Sequence, residues 1–189
     1  MKYYIKNLNE FSEEKQKEYL LFLDKEKKEQ YNVIKNLNRK KALLLSQGFL
    51  KEKVSDEYNI RREELIFSVS KSGKPFCLSH ENIHFSVSHS GEYLAIAIGE
   101  NEIGIDIEIY KKPPDKLIER ICSANEKNLV DSSENKAEAF TEIWTKKEAY
   151  LKALGSGIDR ELKSIDTTDE KFKFFTEFYD DFVLSVFSL

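Results

Sequence analysis

Apolar and polar positions change period repeatedly along this chain, and each change marks an element. Met1-Lys-Tyr-Tyr-Ile5 alternates as a short strand does. Helical spacing follows: Ser12 can cap a helix through about Leu23, a second helical region covers about Lys25 to Ile34, and a third runs from Asn38 to about Lys53. A short turn of helix at Arg61–Glu64 precedes a strand, Leu65–Ser70. Strands come next at 83–88, 93–98 and 103–109, joined by turns at Ser90-Gly91-Glu92 and Gly99-Glu100-Asn101. Lys111-Lys-Pro-Pro114 stops that pattern. Helical spacing then returns over roughly 115–121, 124–131 and 136–154, where Gly155 is a left-handed stop. The chain ends in an aromatic-rich hairpin, Phe172–Phe178 and Phe182–Phe187 around Tyr179-Asp-Asp181. Helices then strands, twice over, predict an α+β protein of two similar parts, 1–101 and 102–189, dividing near Gly99–Glu102.

Two of these elements carry charge among apolar residues. In Ile103-Gly-Ile-Asp106-Ile-Glu108-Ile, strand alternation sends both carboxylates to one face, about 6–7 Å apart along the chain. On the helix through Phe140 to Leu154, Trp144, Glu148 and Lys152 recur every four residues and stack on one face. Each cluster alone has an ordinary reading. The first suits the wet face of a strand, the second a surface ion pair worth a few tenths of a kcal/mol. Together, three carboxylates with a lysine beside them match an oxygen site for Mg²⁺. Cys77 and Cys122 stand far apart with no partner motif, so zinc has no support.

A third constellation lies upstream. Ser72-Gly-Lys74-Pro75 is a turn delivering a lysine, and Val87-Ser88-His89-Ser90-Gly91 ends a strand in hydroxyl, imidazole and hydroxyl. Such groups are common phosphate contacts, although a plain polar turn has the same composition. A Ser88–His89 hydrolase pair is disfavoured, because neighbours on a strand face opposite ways.

Composition narrows the classes. The chain has 189 residues, is 40% apolar and 12% aromatic, and carries a net charge of -4. That is enough apolar surface for real cores and argues against disorder. With a pI near 5.6, a general nucleic-acid binder is not expected. Lys25, Lys27, Lys28, Lys35 and Arg39 to Lys41 nevertheless crowd one region. No run reaches transmembrane length, the first residues read as a strand and not a signal peptide, and two unpaired cysteines fit a reducing cytoplasm.

In order and rough spacing, Gly73-Lys-Pro75, Phe85-Ser-Val-Ser-His-Ser-Gly91, Gly104-Ile-Asp-Ile-Glu108 and Trp144-Thr-Lys-Lys-Glu-Ala-Tyr-Leu-Lys152 resemble the 4'-phosphopantetheinyl transferases, the surfactin-synthetase (Sfp) type most of all. The resemblance covers about half the chain. It implies two pseudo-symmetric α+β subdomains with the active site in the cleft between them, and a working monomer. It also implies transfer of phosphopantetheine from coenzyme A to a serine of an apo acyl or peptidyl carrier protein, in fatty-acid, peptide or polyketide synthesis. By that resemblance Asp106, Glu108 and Glu148 hold Mg²⁺, and Lys152 lies at the pyrophosphate. Ser88 and His89 contact coenzyme A, Lys74 sits beside its adenosine, and Lys27 belongs to the N-terminal coenzyme-binding set. The lysine-rich region then suits the 3'-phosphate or an acidic carrier. An ungapped match puts Gln30 and Ala42 where a lysine and an arginine are often found, with Lys28 or Lys41 as neighbouring substitutes. Glu126 matches a glutamate sometimes given a catalytic role, but Ser123-Ala-Asn-Glu126 is equally a helix capping box.

Serine needs a base to attack phosphorus, and Glu148 is the expected one; Trp144 is expected to be core. Two rival readings stay open. Asp-x-Glu with Glu-x-x-x-Lys also suits a metal-dependent phosphodiesterase or nuclease. A coenzyme A-binding module without activity is the other.

Overall fold

The computed structural model describes residues 1–156 and 162–189. Strand β1 (Lys2–Asn7) leads into α1 (Glu13–Phe22), α2 (Lys25–Val33) and α3 (Leu37–Tyr58). Then come β2 (Phe67–Val69), β3 (Pro75–Cys77), β4 (His84–Ser90), β5 (Tyr93–Gly99) and β6 (Ile103–Ile109). Helices α4 (Asp115–Ile121), α5 (Ala124–Ser132) and α6 (Lys136–Leu154) precede the closing hairpin β7 (Phe175–Phe178) and β8 (Phe182–Ser188). The architecture is α+β, and every sheet pairing is antiparallel.

The strands form a sheet β1-β5-β4, a sheet β6-β8-β7 and the small pair β2-β3. Strand alternation explains how the two larger sheets stack. Leu94, Ile96 and Ile98 of β5 join Leu44, Leu45, Phe49 and Val54 of α3 in one core. Their neighbours Ala95 and Ala97 face the other way, onto Ile103, Ile105 and Ile107 of β6 and Leu184 and Val186 of β8. The even positions of β6, Gly104 and Asp106, turn toward α6. A Cβ at Gly104 would stand 1.9 Å from the Ala149 carbonyl oxygen, so only glycine lets α6 lie this close to the strand. That approach brings the acidic strand and the acidic helix together.

β4 and β6 are the facing edges of their sheets, and serine hydroxyls stitch the seam. Ile105 N–H donates to Ser86 Oγ at 3.1 Å and Ile109 N–H to Ser90 Oγ at 3.3 Å. Edge amides that would otherwise be orphaned are thereby satisfied.

The strand expected at Leu65–Ser70 is confined to Phe67–Val69, and three further elements depart from the sequence-based expectation. Helix α3 runs on to Tyr58, because Val54 is fully buried and Asn59 supplies the left-handed stop at φ 54°. β3 is an unexpected strand, since three residues beginning with proline show no alternation to read. The final hairpin begins at Phe175 and not Phe172; Phe172 and Phe174 instead pack with Phe187, and Phe172 also meets the Tyr150 ring edge-on at 5.0 Å. Among the described residues no helix is long and apolar enough to cross a membrane.

Candidate active site

Asp106, Glu108, Glu148 and Lys152 converge where β6 meets α6. Lys152 Nζ donates to Asp106 Oδ1 at 2.6 Å and to Ser88 Oγ at 2.9 Å, while Ser88 donates its own proton to Asp106 Oδ1 at 2.7 Å. One strand step away, Ser90 Oγ donates to Glu108 Oε2 at 2.6 Å. Asp106 is buried, and burial raises its pKa against the opposing pull of Lys152 and Ser88. Glu148 is raised to about 7, first by burial and then by the neighbouring Asp106 charge, with Lys152 only partly compensating. Two buried oxygens in this cluster, Asp106 Oδ2 and Glu148 Oε1, have no hydrogen-bond partner among the described residues.

Orphaned buried acceptors are costly, so a cluster that keeps two of them is built for something else to bind. Among the described residues no group of three His, Cys, Asp or Glu side chains is arranged to hold a metal ion, so Asp106, Glu108 and Glu148 share a cluster without forming a finished metal cage, and Lys152 pairs with one Asp106 oxygen. The donors present are all oxygens, two of them unused, and that set suits a small hard cation such as Mg²⁺.

The remaining expected residues fall in three places. Lys74 lines a cavity of about 240 Å³ together with Phe85, Glu148 and Lys152, although its ammonium is engaged elsewhere, with Glu102 and the Ala153 carbonyl. Lys27 and His89 line a separate cavity of about 540 Å³ on the other face of β4, under α3. Alternation along β4 therefore parts the Ser88–His89 pair: Ser88 points into the acidic cluster and His89 toward Lys27. Gln30 and Ala42 border the same cavity, and so does Arg39 of the basic region, whereas the neighbouring substitutes Lys28 and Lys41 are not in its lining. Trp144 is half-buried against the Ile118–Ile143 core.

Glu126 is fully buried and forms the expected capping box with Ser123. Its Oε2 also meets Lys147 Nζ at 2.6 Å, and its Oε1 accepts from Thr167 N and Oγ1 at 2.9 and 2.8 Å. The structure thus commits both oxygens to packing partners and gives Glu126 no bond to the Asp106 cluster. Lys147 was not expected. The signal was its place in the stripe Phe140, Ile143, Lys147, Leu151, Leu154, where a charge at a core position asks for a buried partner.

A family model described as the 4'-phosphopantetheinyl transferase superfamily matches residues 102–186, and one for the 4'-phosphopantetheinyl transferase N-terminal region matches 11–101. The chain belongs to the 4'-phosphopantetheinyl transferase superfamily. The transferase gsp of Aneurinibacillus migulanus is 33% identical over 136 residues, 70% of this chain and 56% of that protein. Psf-1 of Bacillus pumilus is 33% identical over 64% of this chain and 53% of its own. For Sfp of Bacillus subtilis the figures are 27%, 81% and 69%. The chain thus spans about half the length of the first two of these relatives. A solved holo-[acyl-carrier-protein] synthase of Thermotoga maritima overlaps 45% of this chain and 60% of that one, at 23% identity and a TM-score of 0.39. In phosphopantetheinyl transferase terms, the N-terminal match contains Lys27, Lys74, Ser88 and His89, and the superfamily match contains Asp106, Glu108, Glu148 and Lys152.

Proposed function

We propose that this protein transfers the 4'-phosphopantetheine arm of coenzyme A to a serine hydroxyl of an apo acyl or peptidyl carrier protein, with Mg²⁺ as cofactor. The observation that carries the reading is the cluster of buried Asp106 and half-buried Glu148, each with an unused oxygen, beside the Lys152 ammonium. Asp106, Glu108 and Glu148 would hold the ion, which when bound supplies positive charge to pyrophosphate oxygens. The serine oxygen forms the new bond to the phosphorus next to pantetheine. The bond from that phosphorus to the bridging oxygen breaks, and adenosine 3',5'-bisphosphate leaves with the electron pair. Catalysis of such a step is mainly positioning and charge neutralisation.

Lys152, tethered by Ser88, brings its ammonium to the transferring phosphoryl group. Glu148, whose Oε1 has no hydrogen-bond partner among the described residues, would take the serine proton. Lys27, His89 and Arg39 share a cavity that no carboxylate lines among the described residues, and a 3'-phosphate suits it.

Incubating the protein with coenzyme A, Mg²⁺ and an apo carrier protein tests the reading by intact mass. The carrier should gain the mass of the phosphopantetheine arm on one serine, and lose that gain when Mg²⁺ is chelated. An unmodified carrier, or transfer indifferent to chelation, would count against it.

A further inference from the structure

Lys74 is held from behind and reaches across the fold. The turn before it is tied by Ser70 N–H to the Lys74 carbonyl at 2.8 Å, Gly73 N–H to the Ser70 carbonyl at 3.0 Å and Lys74 N–H to Ser70 Oγ at 3.1 Å. Its side chain then leaves the β2–β3 hairpin and lies over the end of α6. The ammonium donates to the Ala153 carbonyl at 2.7 Å and pairs with the Glu102 carboxylate. Ala153 O is among the last carbonyls of α6, where a cation is favoured by the helix dipole and satisfies an orphan acceptor. Below the stem lies Gly155, in the left-handed conformation at φ 65°; a Cβ there would come within 2.9 Å of Lys74 Cδ. Glycine here does two jobs, stopping the helix and making room for the lysine.

Glu102 is fixed as well. It immediately precedes β6, its carbonyl accepts from Leu189 N–H at 3.0 Å, and its Oε1 lies 3.4 Å from His84 Nδ1 at the start of β4. One ammonium therefore joins the hairpin, the head of β6 and the tail of α6. Asp106 lies four residues along that strand, and Lys152 immediately precedes Ala153. Lys74 also forms the wall shared by the 240 Å³ cavity beside Glu148 and a neighbouring cavity of about 480 Å³ beside His84 and Glu102.

We propose that Lys74 is a positioning latch, with Glu102 as its working partner, that sets the last turn of α6 so that Lys152 and Glu148 meet Asp106. Its ammonium is spent on protein acceptors and does not serve as a phosphate contact. The activity readout of this proposal rests on the transferase reading above; the contact itself does not.

A double-mutant cycle tests it, with Lys74→Met, Glu102→Gln, the double variant, and Lys74→Arg as the conservative change. Each is read by carrier-modification kinetics and, separately, by urea midpoint without substrates. A latch predicts that Lys74→Met lowers kcat by about tenfold while KM for coenzyme A stays within about twofold. Glu102→Gln should reproduce part of the loss, the double variant should be no worse than Lys74→Met, and Lys74→Arg should recover most of it. A large rise in KM with Lys74→Met, together with an unaffected Glu102→Gln, would make Lys74 a ligand contact and overturn the latch. So would effects that simply multiply. Should Lys74→Met not fold, an unchanged kcat in Glu102→Gln alone overturns it. Should the wild-type protein transfer nothing, the urea cycle still decides: coupled midpoints keep the latch while the transferase reading falls, and additive midpoints discard the latch.

Discussion

Two lysines on one helix, Lys147 and Lys152, each meet a buried carboxylate, and they are finished in opposite ways. Lys147 gives its protons to Glu126 Oε2, the Ile121 carbonyl and the Leu162 carbonyl, the last two at 2.8 Å. Glu126 answers with both oxygens filled, and neither side chain touches water. Lys152 is nearly one-third exposed, and the Asp106 it holds keeps one oxygen without a partner among the described residues. A buried ion pair is tolerable when every lone pair and proton is used. An incomplete one stores a cost that a proton or a further ligand can relieve. The first pair reads as architecture and the second as a site.

The sharpest way to break that contrast is Glu148→Gln, which keeps shape and removes the charge. Turnover should fall by about 10²–10⁴-fold, the usual span for losing a general base, while the urea midpoint stays or rises. Near-wild-type rates at saturating Mg²⁺ would deny Glu148 its role. On the architectural side, Lys147→Met leaves Glu126 charged and alone in the core and should cost about 3–5 kcal/mol. Adding Glu126→Gln to it should return much of that loss, because the surviving carboxamide still accepts from Thr167 and carries no charge. Urea denaturation of the single and double variants checks this; a double variant as unstable as Lys147→Met would mean that the cost lies in packing and not in charge.

Asp106→Asn turns the comparison around. It removes a buried charge whose Oδ2 is unserved, and the Lys152 head is exposed enough to be solvated once released. The free protein should be as stable as wild type or more so, with transfer lost. Glu126→Gln should do the reverse in the same urea assay, destabilising the fold through its stranded lysine. Equal destabilisation by both would erase the distinction between the two pairs.

Much of this was legible in the chain itself. Period two across Ile103–Ile109 placed Asp106 and Glu108 on one face, and period four placed Glu148 with Lys152 on α6. The Ser123–Glu126 capping box was readable as well, because capping is a local matter of side chain and nearby amide. What escaped depended on tertiary packing. Lys147 occupies an apolar position, yet its partner lies 21 residues upstream on another helix, as α5 begins. Lys74 sits in a motif that suggested a ligand contact, while the direction of its ammonium depends on where α6 ends. Ser88 and His89 are neighbours in sequence and serve different cavities, which alternation alone implied. Arg39 lay within the basic run, and only the folded cavity under α3 separated it from the solvated lysines around it.

The mildest prediction, and the one that separates the two pairs without touching either, is in the pH dependence of stability. Glu148 in the folded protein binds its proton up to about pH 7, whereas in the unfolded chain it releases it near the ordinary value of 4.5. Between those values the native state holds more protons, so stability must fall as pH rises through the window. Below pH 4.5 the penalty is absent, and above pH 7 it is fully present. The raised pKa of Asp106 adds to the fall with the same sign. Partial exposure of Glu148 lets water damp the effect, so a shallow slope is expected. Mg²⁺ should flatten it, since the ion competes with the proton for the same oxygens and binds more tightly as pH rises. Urea midpoints from about pH 5 to pH 8 should slope downward in wild type and lose part of that slope in Glu148→Gln. Parallel profiles for the two proteins would mean that Glu148 is ionised throughout, and the strain assigned to the acidic cluster would have to lie on Asp106 alone.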